Sequence, residues 1–240
     1  MNSASVASKG SASSSMSHAT PTVFVVDDDI SVRESLESMI RCAGWQPETF
    51  ASAQEFLARP RVLAPSCLVL DVSLPDLNGL DLQERIACDR PDIPIIFITG
   101  QGDVPTTVRA MKAGALEFLE KPLGDDVLLD AIRHGIERSH AALGQEAEIG
   151  SLRDCYASLS RREREVMTLV VSGRLNKEVG AELGISEITV KAHRGNVMRK
   201  MAAGSLADLV RMAARLSLPL DARQPRFSRP RLDFASLAEL

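Results

Sequence analysis

Short apolar runs alternate with amphipathic stretches over the first half of the chain, while the second half keeps only the amphipathic pattern. Val23-Phe24-Val25-Val26, Cys67-Leu68-Val69-Leu70, Ile95-Ile96-Phe97-Ile98 and Glu117-Phe118-Leu119-Glu120 are the strand-like segments. Unbroken runs of this length read as strands buried on both faces, which is typical of a parallel sheet. Helical patterns fall near 31–43, 79–88, 104–113 and 125–139, with a shorter one opening at Ser52-x-x-Glu55. Ser31-x-x-Glu34 has the form of a capping box, and Gly44 closes that first helix. Five strands alternating with five helices predict an α/β domain over 21–140, a (βα)5 doubly wound parallel sheet with right-handed crossovers.

Beyond residue 140 the pattern weakens. Gly144 and Gly150 interrupt a polar stretch in which Ile149, Leu152 and Tyr156 keep helical spacing. Segment 141–158 therefore reads as a linker with some helix, its seam too short for a coiled coil and its simplest form a solvated tether. From 159 no strand pattern remains. Four short helices are expected near 160–172, 176–183, 187–201 and 205–216, making a small all-α domain over 159–216. Residues 1–20, with eight serines, and the tail 217–240, with Pro219, Pro225 and Pro230 among four arginines, read as disordered.

Composition adds one asymmetry. The 240 residues carry a net charge of −4, but 21–140 hold 11 basic and 20 acidic side chains, whereas 159–216 hold 11 and 6. An acidic half followed by a basic one suggests different partners, nucleic acid for the second. No apolar stretch approaches a membrane span, so no membrane partner is expected. Cys42, Cys67, Cys88 and Cys155 lack metal-ligand spacing and the four histidines are scattered, which argues against zinc or disulfides and for a reducing cytoplasm.

The strand ends carry the candidate chemistry. In parallel sheets, ligands collect at the carboxyl ends of the strands. Asp27-Asp28-Asp29 follow the first run, Asp71 the second, Thr99 the third, and Lys121-Pro122 the last. A carboxylate can accept a phosphoryl group where the developing charge is neutralised. Asp71 is the candidate nucleophile, Asp27 and Asp28 oxygen donors for a hard cation such as Mg²⁺, Lys121 a fixed positive charge and Thr99 a hydroxyl. Taken singly, each has a plainer role: a strand-end Asp often caps a helix, and Phe118 alone would be core. Their joint order is what makes the plain roles insufficient.

This order resembles the receiver domain of bacterial response regulators. The resemblance implies that Asp71 is the phosphoacceptor, with Thr99 and Lys121 assisting, and that Mg²⁺ is held by Asp27, Asp28, Asp71 and the backbone carbonyl of Ser73. It makes Phe118 an aromatic that changes rotamer on activation and implies a cis bond before Pro122. Asp29 reads as a solvated or capping residue.

The basic half resembles the LuxR-type helix-turn-helix module of the FixJ/NarL response regulators. It does so through Leu159-Ser160-Arg161-Arg162-Glu163-Arg164-Glu165-Val166, Asn176-Lys177-Glu178-Val179, Leu183-Gly184-Ile185-Ser186 and Thr189-Val190-Lys191-Ala192-His193. Thr99-Gly100-Gln101-Gly102-Asp103-Val104-Pro105 and Gly114-Ala115-x-Glu117-Phe118-Leu119 look most like the FixJ branch. Ser160-x-x-Glu163 is a second capping box, and Gly184 permits a tight turn. On a helix over 187–201, Val190, Val197 and Met201 share one face; Lys191, Ala192, Gly195 and Arg199 share another that can enter a major groove. Lys191 and Arg194 are candidates for base edges or flanking phosphates, and Ala192 for a thymine methyl. Asn176, Lys177, Arg199 and Lys200 are candidate phosphate contacts, and Thr189 belongs to the same DNA-binding set. Gly195 costs a helix interior about 1 kcal/mol relative to Ala and brings no side chain to a base.

Together these imply a DNA-binding transcriptional regulator rather than an enzyme with its own substrate: a sensor histidine kinase phosphorylates Asp71, promoting homodimerisation and promoter binding, with RNA polymerase a further candidate partner. Two other readings compete. A haloacid-dehalogenase-type phosphohydrolase wants an acid two residues beyond its nucleophile, where this chain has Ser73. A phosphorylation-independent regulator with a vestigial receiver is disfavoured by the complete acceptor set.

Overall fold

The computed structural model describes residues 20–75, 77–100 and 102–218. The expected disordered leader and tail lie outside these, apart from Thr20 and residues 217–218. The chain divides into two compact units that meet between residues 145 and 146.

The first unit runs β1 (Thr22–Val26), α1 (Ile30–Cys42), β2 (Gln46–Phe50), α2 (Ala53–Ala58), β3 (Ser66–Asp71), α3 (Gly79–Asp89), β4 (Ile95–Thr99), α4 (Val104–Lys112), β5 (Glu117–Glu120) and the start of α5 (Asp125–Ala157). The strands form one parallel sheet in the order β2-β1-β3-β4-β5. Successive residues of a strand face opposite sides of the sheet, and the core divides accordingly. Phe24, Val26, Leu68, Leu70 and Phe97 pack against Phe56, Leu82 and Ile86 of α2 and α3. Val23, Val25, Val69, Ile96 and Ile98 pack against Ile40 of α1 and Leu128 and Ile132 of α5. Both faces of the three inner strands are thus covered, as their unbroken apolar runs require.

The edges depart from that picture. β5 is an edge strand, with Glu117 and Glu120 exposed and Phe118 and Leu119 half-buried, so it is not covered on both faces. β2 is the other edge; its sequence Gln-Pro-Glu-Thr-Phe carries no apolar run, and Pro47 is tolerated because an edge strand can spare an N–H. α1 starts one residue earlier than its sequence pattern predicts. Asp29 is its cap, its carboxylate accepting from the Ser31 N–H at 2.8 Å, so the Ser31 capping box does not form. The segment 141–158, expected to be partly helical, is helical as far as Ala157, where α5 ends. The stretch from Ala141 to Glu148 is rich in Ala, Gln and Glu, strong helix formers, and Cys155 and Tyr156 pack onto the second unit's core.

The second unit adds α6 (Arg161–Val171), α7 (Asn176–Leu183), α8 (Glu187–Lys200) and α9 (Leu206–Arg215). The capping box at α6 forms in full: the Ser160 hydroxyl accepts from the Glu163 N–H at 3.3 Å, and the Glu163 carboxylate accepts from the Ser160 N–H at 2.7 Å. α7 ends on Gly184 in the left-handed conformation (φ +66°). A side chain at Gly180 would put its Cβ 2.7 Å from the Ile185 carbonyl oxygen, so the turn between α7 and α8 can close only over a glycine there. Val190 is buried with Val166, Leu169, Val170 and Val179, while Val197 and Met201 join Met167, Val171, Leu209 and Ala213. Val190 and Val197 of α8, with Met201 just past its end, are the residues the helical period placed on one packed face.

Candidate functional site

The register of the sheet sets the strand ends side by side. Val26 pairs with Leu70, Asp71 with Ile98, and Thr99 with Glu120, so Asp27, Asp71, Thr99 and Lys121 meet at one edge of the sheet. Asp27 and Asp71 are 1% and 6% exposed. The Lys121 ammonium lies between their carboxylates, 2.8 Å from Asp27 Oδ2 and 3.0 Å from Asp71 Oδ1. The second oxygen of each carboxylate accepts a backbone N–H, from Asp29 at 2.9 Å and from Ser73 at 2.7 Å. Each buried carboxylate is paired with the one ammonium, as buried charge requires, and one negative charge of the three groups stays uncompensated. Burial works against the charge on Lys121, but its hydrogen bonds to Asp27 and Asp71, and their charges, outweigh that and raise its pKa above the usual lysine value.

Backbone close to the site holds this geometry. Asn78 caps α3, accepting from the Leu80 N–H at 2.9 Å, and the Gly79 N–H donates to the Val72 carbonyl at 3.0 Å. A Cβ on Gly79 would fall 2.7 Å from the Asp71 carbonyl oxygen. Gly79 is therefore a residue the site depends on, and its signal in the sequence, a glycine at the first position of a predicted helix, gave no hint of it. Arg33, also absent from the sequence-based set, donates to the Asp27 carbonyl at 2.6 Å. Thr99 is buried at 1% exposure at the end of β4, and its carbonyl accepts from the Lys121 N–H at 2.7 Å. The Lys121–Pro122 bond is cis.

The expected cation donors are only partly gathered. Asp27 and Asp71 converge, while Asp28 lies exposed beside them, and Ser73 contributes its N–H to Asp71. Among the described residues, no group of three or more His, Cys, Asp or Glu side chains is placed to hold a metal ion. Only two carboxylates converge, with Lys121 between them, and the third, Asp28, is exposed. The donor chemistry, carboxylates and a carbonyl, nonetheless suits a hard cation.

Phe118 is half-buried, its ring centroid 5.9 Å from that of Phe97. It lines a cavity of about 310 Å³ together with Gly102, Asp103, Val104, Thr107, Val108 and Glu120. The four cysteines are unbridged, and burial pushes the Cys67 thiol up to about 12, which removes it from thiolate chemistry. No described helix is long and apolar enough to cross a membrane.

In the helical unit, the residues expected to face DNA are divided. Lys191, Ala192, Gly195 and Arg199 are exposed on α8, as is Lys177 on α7. Lys191 forms an i,i+4 surface pair with Glu187 at 3.0 Å, and Arg194 donates to Asn176 at 3.3 Å. The Thr189 hydroxyl is engaged with that of Ser186, which caps α8. Lys200, expected as a phosphate contact, is spent internally: its ammonium lies 2.7 Å from Glu163 Oε2 and donates to the Ser158 carbonyl at 3.1 Å. The hydrogen bond from Lys200, with the Ser160 N–H, holds the Glu163 carboxyl down at about 2. Gly195 meets nothing within 4 Å of the Cβ it lacks, so packing does not require glycine there.

Comparison with known proteins agrees with both halves. Residues 23–133 match the response regulator receiver domain, and residues 157–213 match the bacterial regulatory proteins of the luxR family. The chain is 51% identical over 196 residues to nodulation protein W of Bradyrhizobium diazoefficiens, covering 82% of this chain and 86% of that one. It is 43% identical over 192 residues to the transcriptional regulatory protein FixJ of Rhizobium meliloti, covering 80% and 94%. Among solved structures, the response regulator StyR superposes with a TM-score of 0.73 at 47% identity, covering 82% of this chain and all of that one. The chain accordingly belongs to the two-component response regulators that join a receiver domain to a LuxR-type DNA-binding domain.

Proposed function

We propose that Asp71 is the phosphoacceptor of a two-component phosphorelay and that its phosphorylation promotes dimerisation and promoter binding. One observation carries this reading: two buried carboxylates and one ammonium converge within 3.0 Å at the carboxyl ends of β1, β3 and β5. In the transfer, an Asp71 carboxylate oxygen bonds phosphorus as the phosphorus–nitrogen bond of a phosphohistidine on the kinase breaks. Lys121 moves with the charge, exchanging its bond to Asp71 Oδ1 for a phosphoryl oxygen, and the Thr99 hydroxyl meets another. The Ser73 N–H keeps the acceptor carboxylate oriented through Asp71 Oδ2. Asp27, Asp28, Asp71 and the Ser73 carbonyl would hold Mg²⁺, which supplies positive charge against the phosphoryl oxygens. The domain boundaries are 21–140 for the receiver and 159–216 for the DNA-binding unit. The chain accepts and slowly loses its own phosphoryl group and turns over no other substrate.

For dimerisation, the supporting surface is α4, where Val104, Val108 and Met111 are exposed beside half-buried Phe118. Phosphorylation draws Thr99 toward the phosphoryl group and opens space for Phe118 to turn inward, remodelling this face. Lys177, Lys191, Ala192, Arg194, Gly195 and Arg199 form the DNA-facing set, with Asn176 holding Arg194. RNA polymerase is a further partner at the promoter, and the cytoplasm is the compartment that DNA, a histidine kinase and unbridged cysteines share.

The test is intact mass after treatment with Mg²⁺ and acetyl phosphate. Wild type gains about 80 Da, one phosphoryl group, and Asp71→Asn gains nothing. Equal labelling of Asp71→Asn would overturn the assignment.

A further inference from the structure

On α8 the exposed positions 188, 191, 192 and 195 follow the i, i+3, i+4, i+7 spacing of one helical face. That face lies away from buried Val190 and Val197. Its composition is unusual for a reading surface. Gly195 offers no side chain, Ala192 offers one methyl, and the Lys191 ammonium is paired with Glu187. The bulk is concentrated at the N-terminal end, in Ile188, which is 79% exposed and packs into neither core cluster of its unit.

A β-branched apolar side chain so exposed beside the Lys191–Glu187 ion pair calls for an explanation. An isolated exposed apolar residue is ordinary, but this one heads the face proposed to enter DNA, on the first turn of its helix. In helix-turn-helix docking it is the N-terminal residues of the recognition helix that contact base edges. Ser186 fixes that first turn through its bonds to Thr189, so Ile188 is carried on ordered backbone. The apolar feature a major groove presents is the 5-methyl group of thymine. Lys191, Arg194 and Arg199 supply the positive charge that brings phosphates to either side.

We infer that Ile188 is a specificity-determining residue of the DNA-binding surface, reading a thymine methyl by apolar contact. In this chain it takes up the discrimination that Gly195 cannot make. The inference rests on the DNA-binding reading above, and it adds to the Lys191 and Ala192 contacts without replacing them.

The test begins with the full-length, beryllofluoride-treated chain selecting duplexes from a random pool. In the enriched duplex, each thymine is replaced in turn by deoxyuridine, which removes only the methyl group. Wild type should lose about fourfold in affinity at one or two positions, the worth of about one buried carbon. Ile188→Ala should bind the thymine duplex more weakly, with an unchanged melting temperature, and should no longer distinguish deoxyuridine there. An Ile188→Ala variant that keeps the wild-type thymine-to-deoxyuridine ratio at every position overturns the inference while leaving DNA binding intact. Loss of that ratio in Ala192→Gly but not in Ile188→Ala also overturns it, by giving the methyl to Ala192. Failure of wild type to enrich any sequence overturns the DNA-binding reading itself.

Discussion

Replacing Lys200 with Met tests whether this side chain holds the helical unit together or touches DNA. The change keeps much of the aliphatic stem and removes the ammonium, with its bonds to Glu163 at 2.7 Å and to the Ser158 carbonyl at 3.1 Å. Hydrogen bonds to a charged group contribute about 1.5–3 kcal/mol. The Lys200 side chain remains 28% exposed, so solvent screening puts the loss near the low end, at about 1.5–2 kcal/mol. For a domain of this size that lowers the melting midpoint by roughly 6–16 °C. Glu163→Gln removes the same charge pairing from the other side, so the double variant should be less destabilised than the sum of the single ones. The pH dependence has a definite sign. Glu163 is held at about 2, below its ordinary 4.5; its stabilisation is complete above pH 4.5 and is lost as pH falls from there toward 2. Glu163→Gln should flatten that window. Circular dichroism melting of the full chain, with hydrogen exchange assigning the transition to α6–α9, reads both effects. The salt dependence of DNA binding reads the alternative, because each lost phosphate contact lowers the slope by about 0.9. An unchanged melting midpoint in Lys200→Met, with a slope lower by that amount, would refute the internal tie.

Lys121→Met leaves the Asp27 and Asp71 carboxylates buried without their shared cation. The receiver should lose about 1–3 kcal/mol at neutral pH and regain more stability from added Mg²⁺ than wild type does; Trp45 fluorescence in urea measures both, and equal Mg²⁺ effects would count against the convergence of the site. Gly180→Ala and Gly195→Ala should act in opposite directions. The first drives a Cβ to 2.7 Å from the Ile185 carbonyl oxygen and should cost about 1–3 kcal/mol, whereas the second enters open space and should gain about 1 kcal/mol of helix stability. An unchanged or raised melting midpoint in Gly180→Ala would show that the turn is not closed over Gly180.

The inner strands were legible because burial on both faces leaves an unbroken apolar run, which β1, β3 and β4 display. β2 was not, since an edge strand of Gln-Pro-Glu-Thr-Phe needs no such run, and β5 resembled an inner strand only through Phe118 and Leu119. The linker, expected to be partly helical, hid the full extent of its helix at Gly144 and Gly150: a glycine costs a helix about 1 kcal/mol, and tertiary packing at Cys155 and Tyr156 can offset that. Asp27, Asp71, Thr99 and Lys121 could be grouped because each directly ends or follows a strand. The Lys200–Glu163 pair spans 37 residues and carries no periodic signal. Gly79 and Gly180 were silent for a related reason, since a close approach of backbone to backbone is visible only once the chain has folded.

We propose that the phosphorylation state of Asp71 governs DNA occupancy. It is tested most directly by the affinity of the full-length chain for its selected duplex, measured at one fixed salt concentration with and without acetyl phosphate and Mg²⁺. Tighter binding on phosphorylation of wild type, with no response in Asp71→Asn, is the predicted result. Equal affinity of phosphorylated and unphosphorylated wild type, with the 80 Da adduct confirmed in the same sample, would contradict it.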